Sequence, residues 1–209
     1  MYLAITLLIV AVFIFMFLSA LYYGKYYKER EKNIRLEVSR EKDREAATTD
    51  SLTGLYNRRP LMKRMAEEKS RAVRRKYGFV TLFIDLDDFK KINDNHGHTT
   101  GDAVLIKVAN EIKRIIRPYD IAARYGGDEF VVMLMEIPLE AAATLAKKIA
   151  EAIKRIEIND FNMGISASIG IHQFGSNNAT EDPIEEADKA MYRAKDNGKS
   201  TIFVSKKSM

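Results

Sequence analysis

The sequence predicts an α+β sandwich of the split βαβ kind around a central, mainly antiparallel sheet, preceded by one transmembrane helix and a helical stalk. Three observations predict it. Stretches of helical and of strand character alternate from residue 54 to residue 204. Two adjacent strand-like runs, 121–125 and 129–135, are joined by Gly126-Gly127, a hairpin signal that interrupts the regular alternation of a doubly wound parallel sheet. Finally, residues 1–23 carry no charged side chain, and residues 25–49 are dense in Lys, Arg, Glu and Asp.

The apolar run comes first. As a helix it would be ~34 Å long, enough for a ~30 Å hydrocarbon core. A cleaved signal peptide needs a basic start and a small-residue cleavage site. Here no Lys or Arg precedes the run, and Tyr22, Tyr23, Tyr26 and Tyr27 close it, as suits a headgroup interface. Residues 1–24 are therefore expected to span the inner membrane once. Lys25, Lys28, Arg30 and Lys32 follow, which places the remainder on the cytoplasmic side by the positive-inside rule. Residues 25–49 contain no Pro or Gly and read as a charged helical linker. Tyr27, Ile34 and Val38 offer a short, broken apolar seam, equally compatible with a single helix and with a parallel coiled coil.

Residues 50–209 form the expected globular domain, long enough to bury its own core. Helices are predicted over 54–75, 100–117, 139–156 and 183–196, and strands over 79–85, 121–125, 129–135, 165–171 and 201–204. The chain has 209 residues, no cysteine, a formal charge of +5 and a pI of about 9.2. Disulfides and thiolate metal sites are excluded. The basic balance is compatible with nucleic acid, a membrane surface or phosphorylated small molecules, but basic residues flanking the apolar run account for much of it, and no nucleic-acid partner is expected.

The acids carry the chemistry. Asp85 ends an apolar strand and is followed by Leu86, Asp87 and Asp88. Asp128 and Glu129 occupy the turn of the later hairpin. If the two strands are neighbours, Asp85 and Asp128 meet at one end of the sheet, where they repel unless a cation neutralises them. Hard oxygen ligands favour Mg²⁺, and such a site suits metal-assisted phosphoryl transfer. Asp87, Asp88 and Asp94 read as solvated loop acids. Gly126-Gly127 would turn with positive φ and let a ligand approach the backbone. A calcium loop starting at Asp85 would need Gly where Lys90 stands. Asp94, His96 and His98 lack the partner motif that zinc would require.

These residues resemble a known family. Arg124-Tyr125-Gly126-Gly127-Asp128-Glu129-Phe130 is similar to the signature of GGDEF-domain diguanylate cyclases. Residues 50–59, residues 85–102, Ser168-Ile169-Gly170 and the stretch from Ala187 to Lys199 resemble further motifs of that family, in the right order. The resemblance implies a palm/nucleotidyl-cyclase-like sandwich that condenses two GTP into cyclic di-GMP and pyrophosphate at a homodimer interface. It implies Mg²⁺ on Asp85, the Leu86 carbonyl and Asp128. It makes Asp128, Glu129 and Lys90 catalytic, and gives Asn93, His98 and Asp102 to guanine. Gly126, Gly127, Lys195 and Lys199 would line the substrate site. The family more often has Arg at the last of these positions, and Lys199 keeps the charge without the bidentate fork. Arg117 and Asp120, two residues apart in Arg117-Pro118-Tyr119-Asp120, resemble the family's inhibitory product site, where Arg grips phosphate or guanine and Asp accepts from guanine. The rival readings are a nucleotide receptor without turnover, a cyclase with an adenine-containing product, and a membrane scaffold that only dimerises.

Overall fold

The structure is a computed structural model that describes residues 2–46, 48–158, 161–162 and 164–205. The chain divides into two units, Met1–Ala47 and Thr48–Met209. The first is one helix, α1 (Tyr2–Ala46). Among the described residues no helix is long and apolar enough to cross a membrane. The side chains of residues 1–13, and with them most of the expected span, lie outside the described set. Along the described part of α1, Ile14, Phe15, Met16, Leu18 and Leu21 are exposed.

The second unit holds α2 (Arg58–Arg75), β1 (Phe79–Asp87), α3 (Phe89–His96), α4 (His98–Ile115), β2 (Ile121–Arg124), β3 (Glu129–Met135) and α5 (Leu139–Lys154). There follow a small hairpin, β4 (Glu157–Ile158) and β5 (Phe161–Asn162), then β6 (Ser166–Phe174), α6 (Pro183–Asp196) and β7 (Ile202–Val204). The five-stranded sheet runs β2-β3-β1-β6-β7. All its pairings are antiparallel except β6 with β7, so the sheet is mixed. β1 and β2 lie on either side of β3, the split βαβ arrangement read from the sequence.

Strand β1 is central and its alternating side chains serve two layers. Val80, Leu82, Ile84 and Leu86 join a core with Val104, Leu105, Val108 and Ile112 of α4 and Ala142, Ala146, Ile149 and Ile153 of α5. Phe79 and Phe83 join a second core with Leu61, Met65 and Ala72 of α2 and Ile184, Ala187 and Met191 of α6. The later odd-numbered residues of β1, Asp85 and Asp87, are buried acids. Helix α6 starts on Asp182, whose carboxylate accepts from the Ile184 and Glu185 amides, with Pro183 in the first turn. It lies so close to the sheet that a Cβ at Gly170 would collide with the Ala187 carbonyl and the Met191 amide.

Several elements differ from the sequence reading. Helix α2 begins at Arg58 rather than 54, because the preceding segment spends its backbone groups on β2. The Tyr56 amide donates to the Ala122 carbonyl (3.2 Å), and the Arg124 amide donates to the Tyr56 carbonyl (2.8 Å). Strand β1 continues to Asp87, two residues beyond its predicted end. Helix α3 and the β4–β5 hairpin were not expected from the pattern.

Candidate active site

Three acids at the end of β1 each engage the segment running from α6 into β7. Asp85 Oδ1 lies 2.7 Å from Lys195 Nζ. Asp87 accepts from the Ser166 hydroxyl (2.6 Å), the Ser168 hydroxyl (2.7 Å) and the Ser200 amide (2.9 Å). Asp88 lies 3.0 Å from Lys199 Nζ and 3.1 Å from Lys91 Nζ. Asp87 is therefore no solvated loop acid. It is only 6% exposed, inside β1 and fully hydrogen-bonded. Asp88 is exposed as expected, but it is held by two lysines rather than left to solvent.

The hairpin between β2 and β3 brings the other acids to the same place. Asp85 sits opposite Glu129 in the β1–β3 register, and the Leu86 amide donates to the Asp128 carbonyl (3.2 Å). The turn closes through Tyr125 and Gly126 amides on the Glu129 carbonyl, at 2.8 and 3.4 Å. Neither Gly126 nor Gly127 adopts positive φ, contrary to the sequence expectation. The Glu129 carboxylate folds back over Gly126, where a Cβ would make it swing aside. Arg124 clamps the turn, donating from Nε (3.0 Å) and Nη2 (2.8 Å) to the Gly127 carbonyl. Its Nη1 lies 3.3 Å from Asp50, which also accepts from the Thr53 amide and hydroxyl. The Thr53 hydrogen bonds and the Arg124 charge outweigh burial and hold the Asp50 carboxyl below its usual range.

The cluster is electrostatically tense. Burial pushes the Asp85 carboxyl up, and Asp128 and Asp87 push it further, against the hydrogen bond and charge of Lys195. Glu129 is raised by burial and then by repulsion from Asp85, Asp128 and Asp188. Asp188 of α6 is itself raised, chiefly by burial. Burial works against the Lys195 charge, yet its hydrogen bond to Asp85 and attraction to Asp85, Asp128 and Asp87 leave it above its ordinary value. Crowded carboxylate oxygens short of positive charge fit a hard divalent cation. Among the described residues no group of three or more His, Cys, Asp or Glu forms a closed metal cage.

The remaining sequence candidates fall into two groups. Asn93 of α3 packs on Gly101, where a Cβ would strike its side-chain oxygen, so Asn93 stands beside the residue preceding Asp102. Asp102, His98 and Lys90 are exposed on α3 and α4. Arg117 and Asp120 sit elsewhere, between α4 and β2. Asp120 accepts from the Arg117 amide (2.9 Å) and, through its other oxygen, from the Met135 amide (3.1 Å). Met135 pairs with Phe79, at the opposite end of β1 from Asp85, about 20 Å away along the strand. The Arg117 guanidinium donates to the Tyr119 hydroxyl at 2.7 Å.

Sequence reasoning missed Asp87, Arg124, Asp50 and Asp188 as members of this arrangement. A signal existed for Asp87. Acids two apart on one strand share a face, and Ser166 and Ser168 show the same spacing on the strand that pairs with it.

Comparison with known proteins agrees with this layout. A family model described as "Diguanylate cyclase, GGDEF domain" matches residues 47–201. Diguanylate cyclase DgcP of Pseudomonas aeruginosa is 40% identical over 166 residues, covering 78% of this chain and 25% of its own length. Diguanylate cyclase DgcM of Escherichia coli is 34% identical over 160 residues, covering 76% of this chain and 38% of its own. The chain thus spans about a quarter to two-fifths of the length of these curated relatives. Among solved structures, the coiled coil and GGDEF domain of DgcB from Caulobacter crescentus, in complex with c-di-GMP, is 28% identical. It superposes with a TM-score of 0.72, covering 87% of this chain and 97% of that one. With the matched motifs, the mixed sheet and the acids converging at its end, the chain belongs to the GGDEF-domain diguanylate cyclase family.

Proposed function

We propose that this protein is a diguanylate cyclase, condensing two GTP into cyclic di-GMP with release of two pyrophosphates. The observation that carries the reading is the convergence of Asp85, Asp128 and Glu129 beside Lys195 at the end of β1. In each half-reaction the 3′-oxygen of one GTP attacks the α-phosphorus of the other, its proton leaves, and pyrophosphate departs. Asp85, the Leu86 carbonyl and Asp128 would hold Mg²⁺, which supplies charge neutralisation on the phosphates. Glu129, its proton affinity raised by burial and neighbouring acids, accepts the proton from the 3′-hydroxyl, with Asp128 next to it. Lys90, Lys195 and Lys199 carry phosphate charge, and Gly126 and Gly127 let the triphosphate approach the turn. Asn93, His98 and Asp102 read guanine. Asp102 accepts from guanine N1–H and N2–H, whereas adenine would present it a lone pair.

One domain holds one GTP, so turnover requires two copies facing each other. The structural likeness to a coiled coil joined to a GGDEF domain supports α1 as the dimerising stalk. The apolar run of residues 1–23, with Ile14, Phe15, Leu18 and Leu21 exposed on α1, supports a single-pass anchor in the inner membrane with the cyclase domain cytoplasmic. Arg117 and Asp120, remote from the acids, are the proposed product site. Replacing Arg117 with Ala should weaken inhibition by cyclic di-GMP while initial rates hold.

Incubating the full chain in detergent with Mg²⁺ and equal labelled GTP and ATP tests the reading. Cyclic di-GMP is the expected product, and guanine should be preferred by ~10–100-fold, the effect of roughly 1–3 kcal/mol at Asp102. Absence of product, or comparable adenine incorporation, defeats it.

A further inference from the structure

The turn Gly198-Lys199-Ser200 is unusual in its backbone. All three residues have positive φ: 104° at Gly198, 61° at Lys199 and 52° at Ser200. Glycine adopts such φ freely, but in a non-glycine residue the Cβ crowds the following carbonyl and resists it. Two consecutive strained residues need a hold from outside the turn. The hold is visible. The Ser200 amide donates to Asp87 Oδ2 at 2.9 Å, and Asp87 is itself fixed by the Ser166 and Ser168 hydroxyls. At the start of the turn, the Gly198 amide donates to the Lys195 carbonyl at 3.2 Å, and the Lys199 amide shares that acceptor at 3.2 Å. One buried carboxylate thereby joins the end of β1, strand β6 and the strained turn, with Lys199 between the two tethered points.

We propose that Asp87 is a positioning residue of the nucleotide site: it touches neither substrate nor metal, and it acts by holding the Gly198–Ser200 turn so that Lys199, whose ammonium lies 3.0 Å from Asp88, stays beside the acids at the end of β1 within reach of the phosphates. This rests on the cyclase reading above. Both Asp87 oxygens accept hydrogen bonds within the protein, Oδ2 from Ser166 and Ser200 and Oδ1 from Ser168, and none comes from a lysine, whereas Asp85 is held by the Lys195 ammonium. The function of Asp87 depends on accepting hydrogen bonds rather than on its charge. That separates it from Asp85, one strand repeat away on the same face.

The test uses the full chain, with affinity for a non-hydrolysable GTP analogue in Mg²⁺ buffer measured by calorimetry, and kcat measured with GTP. Asp87→Asn keeps one acceptor oxygen for Ser166 and the Ser200 amide, and its NH₂ donates to the Ser168 hydroxyl. It should bind within about threefold of the parent, since neutral hydrogen bonds replace charged ones at modest cost. Asp87→Ala should bind roughly tenfold more weakly, and that loss should disappear in a Lys199→Ala background, as expected for residues acting through one another. If Asp87→Ala does not fold, Asp87→Ser, too short to reach the turn, is read in its place; if neither folds, Asp87→Asn decides alone. Asp87→Asn as damaged as Asp85→Asn would show that the charge matters and overturn the proposal. So would losses that simply add to that of Lys199→Ala. A parent chain that binds no GTP analogue would instead defeat the cyclase reading.

Discussion

The two faces of β1 are built from the same strand and reach opposite ends of physical chemistry. Toward α4 and α5 it presents Val80, Leu82, Ile84 and Leu86, all essentially inaccessible to water. Toward α2 and α6 it presents Phe79, Thr81, Phe83, Asp85 and Asp87, changing from apolar to acidic within a few residues. The first face gains stability from transfer of hydrocarbon out of water. The second gives part of that up, because its acids are crowded and partly desolvated. The difference teaches where a domain of this kind stores its functional tension: on one side of one strand, backed by an untroubled core on the other.

Removing an acid should give the largest effect. If Asp128 holds the cation as proposed, Asp128→Asn should lower cyclic di-GMP formation by about a hundredfold or more, since losing a ligand carboxylate forfeits several kcal/mol of phosphoryl-transfer stabilisation. Circular dichroism should show the fold retained. Near-normal turnover by a folded variant would dissolve the contrast between the two faces.

Next in size is pressure on the packing that brings α6 to the acid face. Gly170→Ala places a methyl group into the Ala187 carbonyl and the Met191 amide. The sheet and α6 must separate, at about 1–3 kcal/mol, and Lys195 must move with the helix away from Asp85. Denaturant melts and GTP affinity should fall together. An unchanged melt would mean that the helix is less tightly seated than the geometry implies.

A subtler variant tests the tension itself. The folded-state pKa of Glu129 is raised above the ordinary 4.5. Above that raised value the folded protein carries an unwelcome charge; below 4.5 both states are protonated and the cost is gone. Glu129→Gln should therefore melt higher than the parent near neutral pH in the absence of metal, by about 1 kcal/mol or less, while losing most activity. The gain should shrink as pH falls through the raised value. A gain independent of pH would place its cause elsewhere than ionisation.

The smallest effect belongs to the middle of the same face. Thr81 Oγ1 is buried without a hydrogen-bond partner among the described residues. Thr81→Val keeps the shape and removes the unpaired hydroxyl, so stability should stay level or rise by up to about 1 kcal/mol. A clear loss in a thermal melt would reveal a partner for that hydroxyl.

How much of this could be read from the sequence follows the same division. Strands β1 and β3 are dominated by apolar runs, Leu82-Phe83-Ile84 and Phe130 to Met135, and the α4 and α5 stripes are plain in Val104, Val108, Ile112 and Ala142, Ala146, Ile149. The fold class followed from them. Helix α3 escaped notice because eight residues with only Phe89 and Ile92 buried give periodicity too little to act on. Asp85 and Asp128 could be paired in advance because a hairpin and a strand end both announce themselves locally. Asp87 was misjudged because its partners, Ser166, Ser168 and Ser200, lie about eighty to a hundred and thirteen residues further on. Local sequence cannot say which loop folds back onto an acid.

The segment from Thr48 to Asn57 has one more consequence. β2 is only four residues long and stands at the end of the sheet, so one row of its amides and carbonyls would otherwise face outward. Such a row invites a strand from another molecule to pair with it, the usual beginning of edge-to-edge aggregation. Tyr56 closes that opening by occupying the Ala122 carbonyl and the Arg124 amide. Asp50, bound to the side chain of Arg124, secures the cover from the other side. The residues leading into α2 therefore protect solubility as well as shape, and a chain shortened past Asn57 would be expected to self-associate through the bared strand even where its core remained intact.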